Sequence, residues 1–185
     1  AKLLLNSDKL NDAQKRETYH KMAKAYYELE KYHLALSQYK NLSNEVTSYE
    51  GGEAKYYVAK IYYQQEKDSL AESTIIEFSG KTAPHRYWLA KSFILLSDIY
   101  TDREEYFQAR HILQSILDNY VDDTDGIKEE ADEKLQHVIE MENQEAMQDK
   151  SRQIESTPEN SNTPENTEDN HNIDKEPEKN NNNDE

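Results

Sequence analysis

The sequence predicts an all-α protein built as a row of about three helical hairpins, an α-solenoid. Three observations carry this. The string Ala23-Lys24-Ala25-Tyr26-Tyr27 recurs as Ala59-Lys60-Ile61-Tyr62-Tyr63 and, more loosely, as Ser97-Asp98-Ile99-Tyr100-Thr101. In each copy a Tyr (26, 62, 100) precedes an Ala (35, 71, 109) by nine residues, and the copies step by 36 and then 38 residues. Around each copy the apolar residues follow the i, i+3, i+4, i+7 spacing of a helix with one dry face. A unit of this length cannot bury its apolar face alone, so neighbouring units must stack.

Taken in order, residues 1–12 open with Lys2-Leu3-Leu4-Leu5 and then turn polar. They read as the remnant of a preceding helix or as a frayed chain end. The first unit spans about 13–48. Its first helix, over 13–30, carries Tyr19, Met22, Ala23 and Tyr26, and its second, over 32–43, carries Leu34, Ala35, Leu36, Tyr39 and Leu42. Glu30 marks the turn between them. The second unit, about 51–82, begins at Gly51-Gly52. Ala54, Tyr57, Val58, Ile61 and Tyr62 form its first apolar stripe, and Leu70, Ala71, Ile75, Ile76 and Phe78 its second. Ser79-Gly80 ends it, Gly being the residue that accepts a left-handed helix stop. In the third unit, about 84–121, Pro84 sits where a missing N–H costs little. Tyr87, Trp88, Leu89, Phe93, Ile94, Leu96, Ile99 and Tyr100 lie on one helix, and Phe107, Ala109, Ile112, Leu113, Ile116 and Leu117 on the next. Residues 122–148 form a capping segment, with a helix over about 127–147. Its stripe of Ile127, Ala131, Leu135 and Val138 covers the last core and leaves a charged face to water. From 149 to 185 the chain is acidic and Asn-rich, holds three of the four prolines and repeats Thr-Pro-Glu-Asn at 157 and 163. Such a segment buries too little to offset the entropy of ordering it, and disorder is expected.

Composition narrows the function classes. Hydrophobic residues make up 35% of the 185, and mean hydropathy is -1.14. The formal net charge of -16 argues against a nucleic-acid surface or docking to an anionic membrane, both of which need a basic face. Without cysteine there is no disulfide and no thiolate metal site. No apolar run approaches the roughly 20 residues of a membrane span. The chain opens on Ala1 inside the periodic pattern, which leaves an upstream signal peptide or further repeats open.

The repeat, its helical pairs and its period resemble the tetratricopeptide repeat over about residues 13–121. The resemblance implies that Ala23, Ala59 and Ser97 are the small residues at the helix crossing, and that Ala35, Ala71 and Ala109 start the second helices. Close antiparallel helices need such a side chain, or their axes separate. The units depart from the family in having Lys55 where an aromatic is usual and no Gly at the turns. The Tyr-rich long units and the tail are similar to bacterial cell-envelope members, including Bacteroidetes-type repeat proteins. That implies the periplasm or envelope as location, with the cytoplasm as the alternative.

The resemblance also implies a concave groove lined by the first helices. It would present His20, Lys24 and Tyr27 with Glu17 and Glu28, then Tyr56, Lys60 and Tyr63 with Glu53 and Gln64, then Asp98 with Lys91, Ile94, Thr101 and Asp102. Tyr rings with Lys ammonium groups suit a protein or peptide partner; alternatively the rings only pack and the lysines are solvated. The carboxylate clamp of chaperone-binding members is absent, because its Asn slot holds Lys24, Lys60 and Asp98. Asp122 to Gly126 hints at a calcium loop, but Val121 stands at the first ligand slot and Asp132 at the twelfth, so a helix N-cap at Thr124 or Asp125 explains the cluster better. The six His are scattered with no i, i+4 pair. No phosphate loop or nucleophile arrangement appears, and no cofactor is expected. The reading is a non-catalytic scaffold or adaptor that holds a protein or peptide in its groove. The alternatives are a structural spacer or oligomerisation module of a larger multi-repeat protein, and a regulatory domain of an enzyme whose catalytic part lies elsewhere. Oligomeric state is not legible.

Overall fold

The structure is a computed structural model that describes residues 11–156, with side chains described up to Arg152. Seven helices and no strand make up these residues: α1 (Asp12–Glu28), α2 (Tyr32–Leu42), α3 (Tyr49–Gln64), α4 (Asp68–Ser79), α5 (Arg86–Asp102), α6 (Tyr106–Asn119) and α7 (Ile127–Ser156). The first six pair as antiparallel hairpins in chain order. Each second helix also packs on the first helix of the following hairpin, and the first helices pack on one another along the row α1, α3, α5, α7. No comparable packing joins α2, α4 and α6 among the described residues, so the row closes up on the side of the first helices.

The three hairpin turns share one backbone solution. Glu30, Glu66 and Glu104 adopt left-handed φ angles of 55°, 56° and 61°. Each is flanked by the paired bonds of a Schellman stop. The Lys31 N–H donates to the Tyr26 carbonyl (2.8 Å) and the Glu30 N–H to that of Tyr27 (2.9 Å). The same two bonds recur from Lys67 and Glu66 to Tyr62 and Tyr63, and from Glu105 and Glu104 to Tyr100 and Thr101. The repeated tyrosine string therefore sits on the last turn of each first helix, where its carbonyls receive the stop.

Behind the turns, the small residues lie at the crossings. Ala23, Ala35, Ala59, Ala71 and Ala109 are fully buried, and Ser97 nearly so. The core between the first two hairpins is aromatic: Tyr39 stacks on Tyr57 at 5.0 Å with the rings near parallel, and Tyr27 meets Tyr57 edge-on at 4.8 Å. It continues through Tyr56 and Trp88, 5.4 Å apart, into the apolar cluster of Ile75, Phe78, Leu96 and Ile99. A buried side chain such as Phe78 contributes about 2–3 kcal/mol by leaving water. Ala90, Ile94, Leu113 and Ile116 then meet Ile127, Ala131, Leu135 and Val138 of α7.

Several local features differ from the sequence expectation. The first helix of the second unit starts at Tyr49, ahead of Gly51 and Gly52, which are buried within it. Gly80 ends α4 with a right-handed φ of -78°; the left-handed residue of that loop is Ala83, at 48°. Leu70, Ile76 and Phe107 are exposed. The helix over 127–147 continues to Ser156, so 149–156 are helical where disorder was expected. The rest of the expected tail, 157–185, and the expected remnant helix up to residue 10 lie outside the described residues. At the last loop Asp122 Oδ1 accepts from the Thr124 N–H and hydroxyl, and Asp125 Oδ1 accepts from the Ile127 N–H (3.2 Å). Gly126, with φ 81°, occupies the N-cap position itself, and its carbonyl accepts from the Glu130 N–H.

Candidate functional site

One continuous face is shared by α1, α3, α5 and α7, and bonds between adjacent first helices tie it together. From α1, His20 Nε2 pairs with Glu53 Oε2, and Lys24 Nζ reaches Glu53 Oε1 at 3.4 Å. Glu53 on α3 is only 2% exposed, and these two side chains are its partners across the helix pair. Between α3 and α5, the Tyr63 hydroxyl donates to Asp102 Oδ2 at 2.6 Å. Between α5 and α7, Lys91 Nζ donates to both Glu130 oxygens (2.9 and 2.6 Å), and Lys134 Nζ to Asp98 Oδ1 at 2.5 Å. Ion pairs at a fully exposed surface contribute about 0–1 kcal/mol each; these are partly buried, and removing one partner of the buried Glu53 would leave its carboxylate uncompensated. The ladder sets the mutual register of helices that the core already holds.

The face accounts for the residues singled out from sequence as follows. His20, Lys24, Tyr63 and Asp98 lie on it, each engaged by a neighbouring helix. Tyr27 is half-buried and packs edge-on to both Tyr32 and Tyr57. Tyr56 is 8% exposed and belongs to the core; its ring lies against Tyr57 and Trp88. Ile94 is likewise buried. Both lie in the core and not on the face where the repeat register put them.

Lys60 is different. Its ammonium lies 5.6 Å from the Tyr56 ring centre and 5.9 Å from that of Tyr57, and it forms no ion pair among the described residues. Burial lowers its proton affinity, and the nearby Lys91 lowers it further, against the opposing pull of Glu130 and Asp98. Asp98 is shifted the other way: burial raises its pKa, with the Lys134 ammonium opposing. On the other flank of α5, Glu72 of α4 accepts from the Tyr100 hydroxyl and from Arg103, each at 2.8 Å. The guanidinium holds that carboxyl below its usual range.

Glu130 and Lys134 are the residues that sequence reasoning missed, since α7 was read only as a cap. The signal was present: Glu130 follows Lys91 by 39 residues and Lys134 follows Asp98 by 36, close to one repeat period. Among the described residues, no three His, Asp or Glu side chains converge as a metal-binding set. An apolar cleft of about 350 Å³ lies away from the shared face, lined by Leu89, Phe93, Ile112 and Ile116 with Arg86 at one end. No described helix is long and apolar enough to cross a membrane.

The fold and this face define an all-helical array of stacked hairpins. No protein-family model, no curated protein and no solved structure matches the chain.

Proposed function

We propose that the chain is a tetratricopeptide-like scaffold that holds a protein or peptide against the face formed by its first helices. One observation carries the reading: four helices, α1, α3, α5 and α7, contribute to a single surface whose polar side chains pair from each helix to the next. Repeat arrays present such extended faces because each unit adds one helix to the same side. The membership itself rests on the period and on the small residues Ala23, Ala59 and Ser97 at the crossings. The bacterial-envelope setting rests on sequence resemblance alone, and fractionation of cells carrying a tagged gene tests it.

The surface is tested by affinity capture with the full chain, wild type against Lys24→Ala/Tyr63→Ala. Both side chains are on the face and neither is fully buried, whereas Tyr27→Ala would remove core packing. Circular dichroism should show an unchanged helix content. The proteins retained by the wild type should be depleted with the variant. An identical retained set from a folded variant refutes binding through this face.

A further inference from the structure

The ladder on the shared face has one step of the wrong sign. Lys24 of α1 meets Glu53 of α3. Moving both positions on by one repeat, 36 residues from Lys24 and 38 from Glu53, gives Lys60 on α3 and Lys91 on α5. A cation–anion pair between the first two helices thus becomes two cations between the next two. The steps on either side are satisfied: Glu53 has His20 and Lys24, Glu130 has Lys91, and Asp98 has Lys134. Lys60 has only the faces of Tyr56 and Tyr57, and the electron-rich ring face compensates an ammonium less well than a carboxylate does. The carboxylates that act on it, Glu130 and Asp98, are already engaged by Lys91 and Lys134.

We infer that Lys60, on the shared face where α3 meets α5, takes an acidic side chain, Asp or Glu, from an extended partner segment, its carboxylate pairing with the Lys60 ammonium beside the Tyr56 and Tyr57 rings. This rests on the scaffold reading above and gives its partner a chemistry. The occupant supplies the anion that the register omits at this step. Burial and Lys91 lower the proton affinity of Lys60, and a bound carboxylate opposes both. Because the chain as a whole is strongly negative, long-range repulsion opposes an acidic segment and moderate salt screens it. Recognition is therefore local, and it favours segments with one or two carboxylates over polyanions.

The test is selection of a random dodecapeptide phage library on the immobilised full chain at about 0.15 M salt, where the Debye length is about 8 Å. Wild type is compared with Lys60→Glu, Lys60→Gln and Lys24→Ala/Tyr63→Ala. Lys60→Gln keeps the size of the side chain and serves should Lys60→Glu fold poorly. The wild-type pool should be enriched in Asp and Glu over the input. Individual clones should be retained about tenfold less by either Lys60 variant, as for loss of one charge-assisted contact. A pool that depends on Lys24 and Tyr63 but shows no acidic enrichment, or an enrichment that survives Lys60→Gln, overturns the carboxylate inference and leaves the scaffold reading standing. A pool indifferent to all variants, or no retained pool, removes both.

Discussion

Glutamate is a costly residue to hold in the left-handed region, yet Glu30, Glu66 and Glu104 all stand there. A side chain in that region costs roughly 1–2 kcal/mol from the clash of Cβ with the carbonyl. Glycine avoids the clash but gives back about 0.5–1 kcal/mol through its freedom in the unfolded chain. Glu66→Gly is therefore expected to stabilise the protein by about 0.5–1 kcal/mol, read as a rise in the urea midpoint with an unchanged slope. Gly126→Ala should show the reverse sign. Its φ is 81° and an added Cβ would meet nothing within 4 Å, so only backbone strain acts. The sequence shows that the turns lack Gly. It cannot show that Glu accepts the strained angle there, because that follows from two hydrogen bonds to the carbonyls of the preceding turn.

At the scale of an element, Gly51-Gly52 shows how close approach, and not a break, can call for glycine. Two glycines in a row ordinarily mark a break, yet α3 runs straight through them. Their absent side chains let other parts of the chain approach. A Cβ on Gly51 would lie 2.0 Å from the Glu45 carbonyl oxygen, and one on Gly52 would lie 2.8 Å from His85 Cβ and 3.2 Å from Trp88 Cβ. The loop before α3 is in turn tied to the loop before α5, where the His85 N–H donates to the Val46 carbonyl at 2.8 Å. Ala is worth up to about 1 kcal/mol more than Gly inside a helix, while overpacking costs about 1–3 kcal/mol. At Gly51 the obstacle is backbone and cannot swing away, so the clash wins. Gly51→Ala should lower stability by about 2 kcal/mol or more, and Gly52→Ala by somewhat less, in thermal unfolding. Helix existence and order were legible because periodicity reports a buried stripe. These close approaches were not, because they depend on which loop passes which helix.

For the molecule as a whole, the repeat period announced the hairpins and their order, since stacking is the only way such units bury their stripes. The same period held the positions of Lys91, Asp98, Glu130 and Lys134, but without coordinates the sign of each step in the ladder had no meaning. Tyr56 was misplaced for a related reason: the register fixes a position to within a turn, while burial turns on a rotation of tens of degrees. The last helix runs further than the sequence implied. Helix α7 spans 30 residues, about 45 Å at 1.5 Å per residue, yet its buried stripe ends at Val138 and every residue from Asn143 to Arg152 is exposed. Two truncations separate these parts. A chain ending at Glu142 keeps all of the buried stripe and should unfold within about 2 °C of the full chain, since surface changes are worth about ±0.5 kcal/mol. A chain ending at Tyr120 strips the cover from Ala90, Ile94, Leu113 and Ile116. Uncovering several core side chains at about 1.5–3 kcal/mol each exceeds what a small array can lose. The expected result is loss of the cooperative transition in calorimetry, with exposed apolar surface detected by dye binding. If the shorter chain still unfolds cooperatively near the original midpoint, α7 is an appendage and the array is complete at its third hairpin.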